Sequence, residues 1–353
     1  MRKIRTSDAE SKYIGTLPLG CQQCIRGEKL VLFVTGLCGH SCHYCPLSSK
    51  RKSIDKTWAN EFPVEKDEDI IAEAKLCSSA GAGITGGDPL LELEKTLGYI
   101  RLMKKTFGSY FHIHLYTSGD MLTEDMLKKL EQAGLDELRL HLREDLTLID
   151  KCIGYKFDIG AEVPVIPGKE KELKALILHL EKAGAKFLNL NELEMSELNF
   201  EKMTDSGLEP NGDIFNTVKG SKELGLKLLK FAQKNTETLS IHLCTSNVKN
   251  IYQYQNRLKN RAKNILKPFE RIVDHCLIEK GVIESDNQDL ESAKKEIITR
   301  LRLKEKDIYM NLEKNRLEVS KKTAMQAKKI GYECSIVKEF PTSDSFDVEK
   351  DPL

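Results

Sequence analysis

The segment GLCGHSCHYCPL, residues 36–47, carries three cysteines at C-x3-C-x2-C spacing, directly after the apolar run KLVLFVT. These cysteines are Cys38, Cys42 and Cys45. Three thiols in one short loop suit a disulfide, a zinc site or an iron–sulfur cluster. A structural zinc ion needs a fourth ligand, which His40 or His43 would supply, whereas a [4Fe–4S] cube held by three thiolates leaves one iron open to a small molecule.

The composition narrows these alternatives. The 353-residue chain is 40% hydrophobic and 31% charged, with a formal net charge of +1. Its apolar runs are far shorter than the roughly 20 residues of a membrane span, and MRKIRTSDAESK lacks the apolar core of a signal peptide. We therefore expect a cytoplasmic protein with no membrane partner. Cellular reductants keep thiols reduced in that compartment, so the ten cysteines of the chain indicate metal ligands or buried thiols rather than disulfides, and a metal site is favoured over a disulfide.

Seven strand-like apolar runs alternate with amphipathic stretches of helical period between residues 29 and 245, which is typical of βα units around a parallel sheet. The runs are LVLFVT (30–35), GAGIT (81–85), FHIHLYT (111–117), LDELRLHL (135–142), FDIGAEVPVI (157–166), FLNLN (187–191) and LSIHLC (239–244). The predicted fold class is therefore α/β, with a partial or complete (β/α) barrel.

Several strands have polar residues along one face, because successive side chains point to opposite sides of a strand. These polar residues are His112, His114 and Tyr116, then Arg139 and His141, then Asn189 and Asn191, and finally His242 and Cys244. Helices must cover the apolar face, so the polar face is expected to line the lumen as a binding site. The alternative for each histidine alone is a hydrogen-bonded core residue.

The three loop cysteines follow the first strand and therefore lie at its C-terminal end, where barrel enzymes place their chemistry. With Tyr44 before the last cysteine, this loop resembles the cysteine loop of the radical S-adenosylmethionine (radical SAM) superfamily. The resemblance to that superfamily covers residues 29–245. The resemblance implies that Cys38, Cys42 and Cys45 hold a [4Fe–4S] cluster whose open iron is chelated by SAM. It also implies an external one-electron donor, reduced ferredoxin or flavodoxin, and cleavage of SAM to methionine and a 5′-deoxyadenosyl radical that abstracts hydrogen from the substrate.

A second motif, GITGGDP at residues 83–89, ends the second strand and resembles the Gly-Gly-Glu segment of that family. The resemblance implies that the backbone of Gly86 and Gly87 meets the SAM amino group. Asp88 replaces the family's glutamate, which leaves the role of its carboxylate in doubt. The alternative is an ordinary strand-to-helix turn.

Further SAM and substrate contacts are predicted from position at the strand ends. For SAM, besides Tyr44, they are Thr117 and Ser118 at the ribose, His141 and Glu162; for the substrate, they are His112, His114, Asn189, Asn191 and Glu192. The alternative is helix capping for Thr117 and Ser118, barrel packing for Glu162, and a solvated loop acid for Glu192.

A separate C-x2-C pair, Cys21 and Cys24, precedes the first strand. With Cys244, and with His242 as a further ligand, it would form an auxiliary zinc or iron–sulfur site. Cys24 should lie at the opposite mouth of the barrel from Cys244 unless the N-terminal segment runs along the lumen. Buried thiols without a metal are the alternative.

The part of the chain that follows the predicted barrel contains a basic segment and a small domain. Residues 247–272 carry seven Lys or Arg and one acid, which suits either a phosphate backbone such as that of tRNA or a solvated helix clamping two domains. Residues 273–341 read as β-α-β-β-α-β, a ferredoxin-like order. The predicted segments are an N-terminal extension (1–28), the barrel (29–246), a basic linker helix (247–272), a small α+β domain (273–341) and a flexible acidic tail (342–353).

The sequence is identified as a radical SAM enzyme that most resembles an archaeal branch related to the pyruvate formate-lyase activating enzymes. The extra domain and basic helix favour a macromolecular substrate other than a glycyl-radical enzyme, with tRNA as the candidate. Activation of a glycyl-radical enzyme and modification of a small molecule are the alternatives. A zinc-stabilised nucleic-acid-binding protein is the alternative from another class.

Overall fold

The computed structural model describes residues 2–143, 145–284 and 289–353, which form two compact units. The first contains residues up to Lys75 and Ser79–Arg257, and the second contains Leu76–Ser78 and Leu258–Leu353. Each unit has its own sheet and its own apolar core.

The sheet of the first unit contains all seven predicted strands. Its strands are β1 Ile4–Thr6, β2 Lys12–Ile14, β3 Lys29–Phe33, β4 Trp58–Ala59, β5 Phe62–Pro63, β6 Gly81–Thr85, β7 His112–Thr117, β8 Glu137–Leu140, β9 Asp158–Pro164, β10 Phe187–Asn191 and β11 Ser240–Cys244. They run in the order β1-β2-β11-β10-β9-β8-β7-β6-β3-β4-β5, and the strands from β11 to β3 are parallel. No pairing between β1 and β5 closes the sheet within the described residues, so the predicted barrel is a partial one.

Helices follow the strands as expected for βα units. They are α1 Leu19–Ile25, α2 Asp67–Leu76, α3 Leu93–Phe107, α4 Glu124–Ala133, α5 Glu170–Ala183, α6 Phe200–Asp205, α7 Ser221–Asn235 and α8 Gln255–Ile265, with a π-helix at Val248–Tyr254. Helix α4 begins where Thr123 Oγ1 accepts the Met126 N–H and ends at Gly134, whose φ of +95° is the left-handed conformation that favours glycine. The capping residues that the sequence places at the ends of this helix therefore do cap it in the structure.

Both faces of the central strands are buried, but they differ in chemistry. Ile113 and Leu115 of β7 and Leu138 and Leu140 of β8 are fully buried in the apolar core. The alternate positions carry buried polar side chains, which are Lys29, His112, His114, Glu137, Arg139, Asn189 and His242. The lumen of the partial barrel is therefore polar, and these groups must satisfy one another or a ligand.

Within the described residues, the second unit contains an antiparallel sheet and helices, and most of α8 also belongs to it. Its elements are β12 Arg271–Ile272, β13 Ile278–Glu284, α9 Leu290–Leu301, β14 Ile308–Asn311, β15 Arg316–Val319, α10 Lys321–Lys329, β16 Glu333–Glu339 and β17 Asp347–Pro352. The main sheet order is β14-β15-β13-β16-β17. Its first four strands have the split βαβ arrangement that the sequence predicts.

The prediction of a flexible acidic tail is wrong. Residues Asp347–Pro352 form β17, which pairs antiparallel with β16 along its length. The acids that suggested a solvated tail meet cations on other strands of the sheet: Glu349 pairs with Lys338 of the adjacent β16 at 2.6 Å, and Asp347 pairs with Arg316 of β15 at 2.6 Å. Complementary charge across the strands therefore accompanies the pairing of a segment with little apolar character.

A buried ion network in the second unit predicts a loss of stability in acid. Burial would raise the pKa of the Glu318 carboxyl, but Lys280 at 3.1 Å and Lys267 at 2.8 Å outweigh burial and lower that pKa from 4.5 to about 2. A depressed carboxyl pKa stabilises the fold above the ordinary pKa, and this stability is lost as the pH falls from about 4.5 towards 2. We expect the hydrogen-exchange protection factors of the β13 amides, which are corrected for the intrinsic exchange rate at each pH, to fall across that window.

The Lys280→Met variant checks the origin of this effect. Removing the ammonium leaves Glu318 and Glu339 buried beside an apolar side chain, which should destabilise the unit by about 3–5 kcal/mol and flatten the pH response. The exposed Lys329→Met variant serves as the matched control and should retain the wild-type response. An unchanged acid transition in Lys280→Met would contradict this explanation.

Candidate active site

A cavity of about 480 Å³ opens at the C-terminal ends of the parallel strands. It brings together most of the site residues predicted from the sequence. Those that line it are Cys38, Cys42, Tyr44, Cys45, Gly86, Gly87, Asp88, His114, Thr117, Ser118, His141, Glu162, Asn191 and Cys24. His112, Asn189, Glu192, Cys21 and Cys244 are not part of this lining.

The three thiols of the loop are accessible from the cavity. Cys38 is exposed, while Cys42 and Cys45 are half-buried. Among the described residues, no three His, Cys, Asp or Glu side chains converge at metal-binding distances, so the thiols are not pre-arranged around one point. Metal binding commonly orders its own ligands, and three accessible thiols on one short loop fit the donor set of an open-sided cluster. His40, one of the two histidines predicted as a fourth zinc ligand, instead pairs with Asp120.

A hydrogen-bonded chain ties this loop to the neighbouring strands. The Tyr44 hydroxyl donates to His141 Nε2 at 2.8 Å, and His141 Nδ1–H donates to the Glu162 carbonyl at 3.2 Å. Burial lowers the pKa of His141, which keeps the ring neutral and matches this donor–acceptor pattern. Asn199 also donates to the Tyr44 carbonyl at 3.1 Å. Tyr44 and His141 therefore position the loop in addition to facing the cavity.

The Gly86-Gly87 turn packs directly against the same loop. Gly87 N–H donates to the Thr35 carbonyl, and Asp88 N–H donates to the Leu37 carbonyl, both at 2.7 Å. A Cβ on Gly86 would lie 2.4 Å from the Thr35 oxygen, and one on Gly87 would lie 2.1 Å from the Leu37 oxygen. The turn therefore requires glycine because two backbone segments approach too closely for a side chain.

Gly87→Ala should consequently separate the turn from the loop. Since the obstruction is a backbone oxygen, we expect a loss of about 1–3 kcal/mol in unfolding free energy and weaker SAM binding. Gly98→Ala in α3 is the matched control, because an added Cβ there meets no atom within 4 Å. Chemical denaturation and equilibrium binding of SAM measure both effects. Equal behaviour of the two variants would contradict the packing argument.

Asp88 joins the turn that follows β6 to the end of β7. Its carboxylate accepts the Leu90 N–H at 3.1 Å, the Thr117 hydroxyl at 2.9 Å and the Ser118 hydroxyl at 2.7 Å. The Ser118 N–H adds a further contact at 3.0 Å. The hydroxyls predicted to contact a ribose are thus committed to Asp88, which caps the following turn as an N-cap aspartate does.

A charge network fills the lumen beneath the cavity, and among its members only Glu137 was not predicted from the sequence. Arg139 pairs with Glu137 and, at 2.6 Å, with Glu162. Glu162 also accepts the side-chain amides of Asn189 and Asn191 at 2.9 Å each. Burial opposes ionisation of Glu162, but Arg139 outweighs burial and lowers its pKa. The carboxylate that was predicted to reach SAM is therefore held in this network.

Lys29 is a second buried cation on the floor of the cavity. Its ammonium donates to the Ala82 carbonyl at 3.2 Å, the His112 carbonyl at 2.5 Å and His112 Nδ1 at 2.8 Å. Gly81 and Gly83 make room for the Lys29 ammonium and the His114 ring, since a Cβ on either would clash with them. The alternation of Gly81 and Gly83 on the lumen side of β6 is the feature of the sequence that indicates space for the Lys29 ammonium and the His114 ring.

Helix α1 lies along the lumen, which resolves the position of the C-x2-C pair. Cys21 contacts the Asn189 amide at 3.2 Å, and Cys24 lines the cavity. Burial raises the pKa of Cys21 to about 12 and also raises the pKa of Cys24 and Cys244, which favours neutral thiols. The auxiliary metal site stays a prediction, because the described residues contain no arrangement of three ligands around it.

Glu192 has a structural contact that the sequence analysis missed. Its carboxylate accepts the Ser246 N–H at 2.8 Å, and the neighbouring Glu194 accepts the Ser246 hydroxyl at 2.8 Å and pairs with Lys249. Both acids therefore hold the start of the π-helix. That helix in turn places Gln253 on the cavity wall, where Lys52 and Arg143 are further residues not predicted.

The basic segment is largely engaged within the protein. Arg257 pairs with Glu61 at 2.5 Å, and Lys267 pairs with Glu318 at 2.8 Å. Other partners are Glu194 for Lys249, the Pro341 carbonyl for Arg261 and Glu279 for Arg271. Among the described residues, no helix has the length and apolarity needed to cross a bilayer.

Comparison with known proteins identifies the class that this fold and loop define. The radical SAM superfamily profile matches residues 32–156. A Methanocaldococcus jannaschii protein, provisionally named a glycyl-radical enzyme activating enzyme, is 39% identical over 96% of this chain and 93% of its own length. The chain therefore belongs to the radical SAM superfamily. It is an enzyme that uses a [4Fe–4S] cluster and SAM, and the predicted archaeal relationship is confirmed.

Solved structures also align with part of this chain. SuiB of Streptococcus suis, bound to SAM, has a TM-score of 0.46 and 11% identity, covering 61% of this chain and 50% of SuiB. The methyltransferase TsrM of Kitasatospora setae, bound to tryptophan and a SAM analogue, has a TM-score of 0.38 and 11% identity, covering 68% and 53%.

Proposed function

We propose that Cys38, Cys42 and Cys45 hold the [4Fe–4S] cluster and that the Gly86-Gly87 turn binds the SAM amino group. The observation that carries this assignment is that one cavity is lined by the three thiols and by a glycine turn packed against their loop at 2.7 Å. When bound there, the cluster and SAM would supply the one-electron cleavage that yields the 5′-deoxyadenosyl radical.

The protein's own side chains would orient this chemistry. Tyr44 and His141 fix the loop, Asp88 fixes the ends of β6 and β7, and Arg139 with Glu162 makes a charge-paired floor. The apolar core behind the strands separates that floor from solvent. Sequestering the cavity matters because a reactive radical is quenched by adventitious hydrogen donors.

The proposed substrate is a protein, and the specific proposal is a glycyl-radical enzyme that this chain activates. Support comes from the archaeal relative, which carries that provisional name and aligns with 96% of this chain. The earlier interpretation of a tRNA substrate has less support, because five of the seven cations in residues 247–272 have partners inside the protein. Reduced ferredoxin or flavodoxin would supply the electron in a cytoplasmic setting.

Transfer of deuterium tests the substrate class. The reconstituted enzyme, SAM and dithionite are incubated with soluble protein from source cells grown on α-deuterated glycine, and in parallel with RNA from the same cells. We expect deuterated 5′-deoxyadenosine with the protein fraction and none with RNA. Stimulation of SAM cleavage by RNA alone would overturn the proposal of a protein substrate.

A further inference from the structure

The strand order divides the cavity into two sides. The cysteine loop follows β3, the glycine turn follows β6, Thr117 and Ser118 end β7, and His141 follows β8. Asn191 ends β10 at the other side of the sheet, and Gln253 belongs to the π-helix that follows β11. Both side chains line the same cavity as the thiols. With the cofactors held on the side of the cysteine loop and the glycine turn, as proposed above, the side formed by β10 and the π-helix is left for another group.

The orientation of the Asn191 amide is determined by its neighbour. Asn191 Nδ2 lies 2.9 Å from Glu162 Oε1, and a carboxylate only accepts, so the NH₂ group must face Glu162. The carbonyl Oδ1 then points away, and it is a buried oxygen with no hydrogen-bond partner. Buried acceptors are nearly always satisfied, so this atom is poised for a donor from a ligand or from water.

Gln253 supplies the complementary group. The π-helix that carries it is anchored by Glu192 and Glu194, and π-helical turns are frequent at functional sites. No hydrogen bond from the Gln253 amide to another described residue is present in the structure. Its amide is thus able to present an NH₂ donor to the cavity in which Asn191 presents an oxygen acceptor.

We propose that Asn191 and Gln253 bind one peptide group of the substrate, with the peptide N–H donating to Asn191 Oδ1 and the peptide carbonyl accepting from Gln253. A secondary amide carries this donor and acceptor in fixed relation, whereas a phosphate offers only acceptors and leaves Asn191 Oδ1 unsatisfied. The proposal deepens the proposed function, on which it rests, by assigning residues that recognise an extended polypeptide beside the SAM site.

The peptide probe is N-acetyl-alanyl-glycyl-alaninamide, and the matched probe replaces the glycine N–H by an ester oxygen. Equilibrium binding to the unreduced holoenzyme with SAM should weaken by about five- to tenfold for the ester probe, the effect of one lost hydrogen bond. Asn191→Leu and Gln253→Leu should each weaken peptide binding by a similar factor. Gln132→Leu, an exposed position in α4, is the control and should bind like the wild type.

A double-mutant cycle, which compares the peptide and ester probes on each variant, tests the hydrogen bond between the peptide N–H and Asn191 Oδ1. Because both probes bind the same variant, a folding defect of that variant does not affect the comparison. In Asn191→Leu, the ester and peptide probes should bind equally, while in Gln253→Leu the ester penalty should persist. A full ester penalty in Asn191→Leu would overturn the assignment. The assignment would also be overturned if uridine binds in place of the peptide and Asn191→Leu weakens uridine binding to the same extent.

Different results would contradict the proposed function and the peptide-binding assignment. If SAM is cleaved with dithionite but neither probe shows dependence on Asn191 or Gln253, the radical SAM function stands and the peptide-binding assignment is wrong. If the double-mutant cycle holds but deuterated glycine in the peptide never labels 5′-deoxyadenosine, the binding assignment stands and the abstraction of a glycyl hydrogen is wrong.

Discussion

Cys42→Ala should reduce formation of 5′-deoxyadenosine to the background level and eliminate the visible absorbance of the cluster. Cys42 is the middle thiol of the loop, and two remaining thiolates cannot hold a cube that already leaves one iron without a protein ligand. Anaerobic reconstitution, iron and sulfide analysis, and product quantification with dithionite and SAM measure the outcome together.

The control for this variant is Cys276→Ala. Cys276 is half-buried, lies in the second unit and does not line the cavity, so its loss should leave cluster content and SAM cleavage at the wild-type level. Retention of a full cluster and of activity in Cys42→Ala would show that the loop is not the cluster site.

Arg139→Met should be the most destabilising single change in the lumen. Arg139 is 2% exposed and neutralises Glu137 and Glu162, so its removal leaves two buried carboxylates without their cation. Breaking a buried ion pair in this way costs about 3–5 kcal/mol. Urea denaturation monitored through Trp58, the single tryptophan of the chain, reports on the unit that contains the network.

Two companion variants test the cause. Arg26→Met removes an exposed cation from its pair with Glu28 and should change stability by less than about 1 kcal/mol. Adding Glu162→Gln to Arg139→Met should recover part of the loss, because it removes one uncompensated charge. If the double variant is as unstable as the sum of the two single variants, uncompensated charge is not the cause.

Sequence reasoning predicted the elements whose signal is local. The seven parallel strands followed from alternating runs, and the polar lumen followed from positions such as His114 and Asn189, which the structure buries on the inner face. The cysteine loop and the Gly86-Gly87 turn came from spacing and from their place after strands. These features depend on a few consecutive residues, so one sequence is enough to find them.

Other features depend on contacts between distant segments. Glu192 looked like a loop acid, but it caps the π-helix more than fifty residues later. The tail looked solvated because its partners, Arg316 and Lys338, lie on other strands. Gln253 carried no sequence signal, since only the π-helical turn brings it to the cavity. Tertiary pairing of this kind overrides local composition and has no periodicity to detect.

The most direct test of the account is the fate of SAM on the anaerobically reconstituted wild-type protein with dithionite. We predict a brown protein that binds iron and sulfide through the loop and forms methionine and 5′-deoxyadenosine in equal amounts. A colourless protein that retains zinc at the loop and leaves SAM intact would contradict the account.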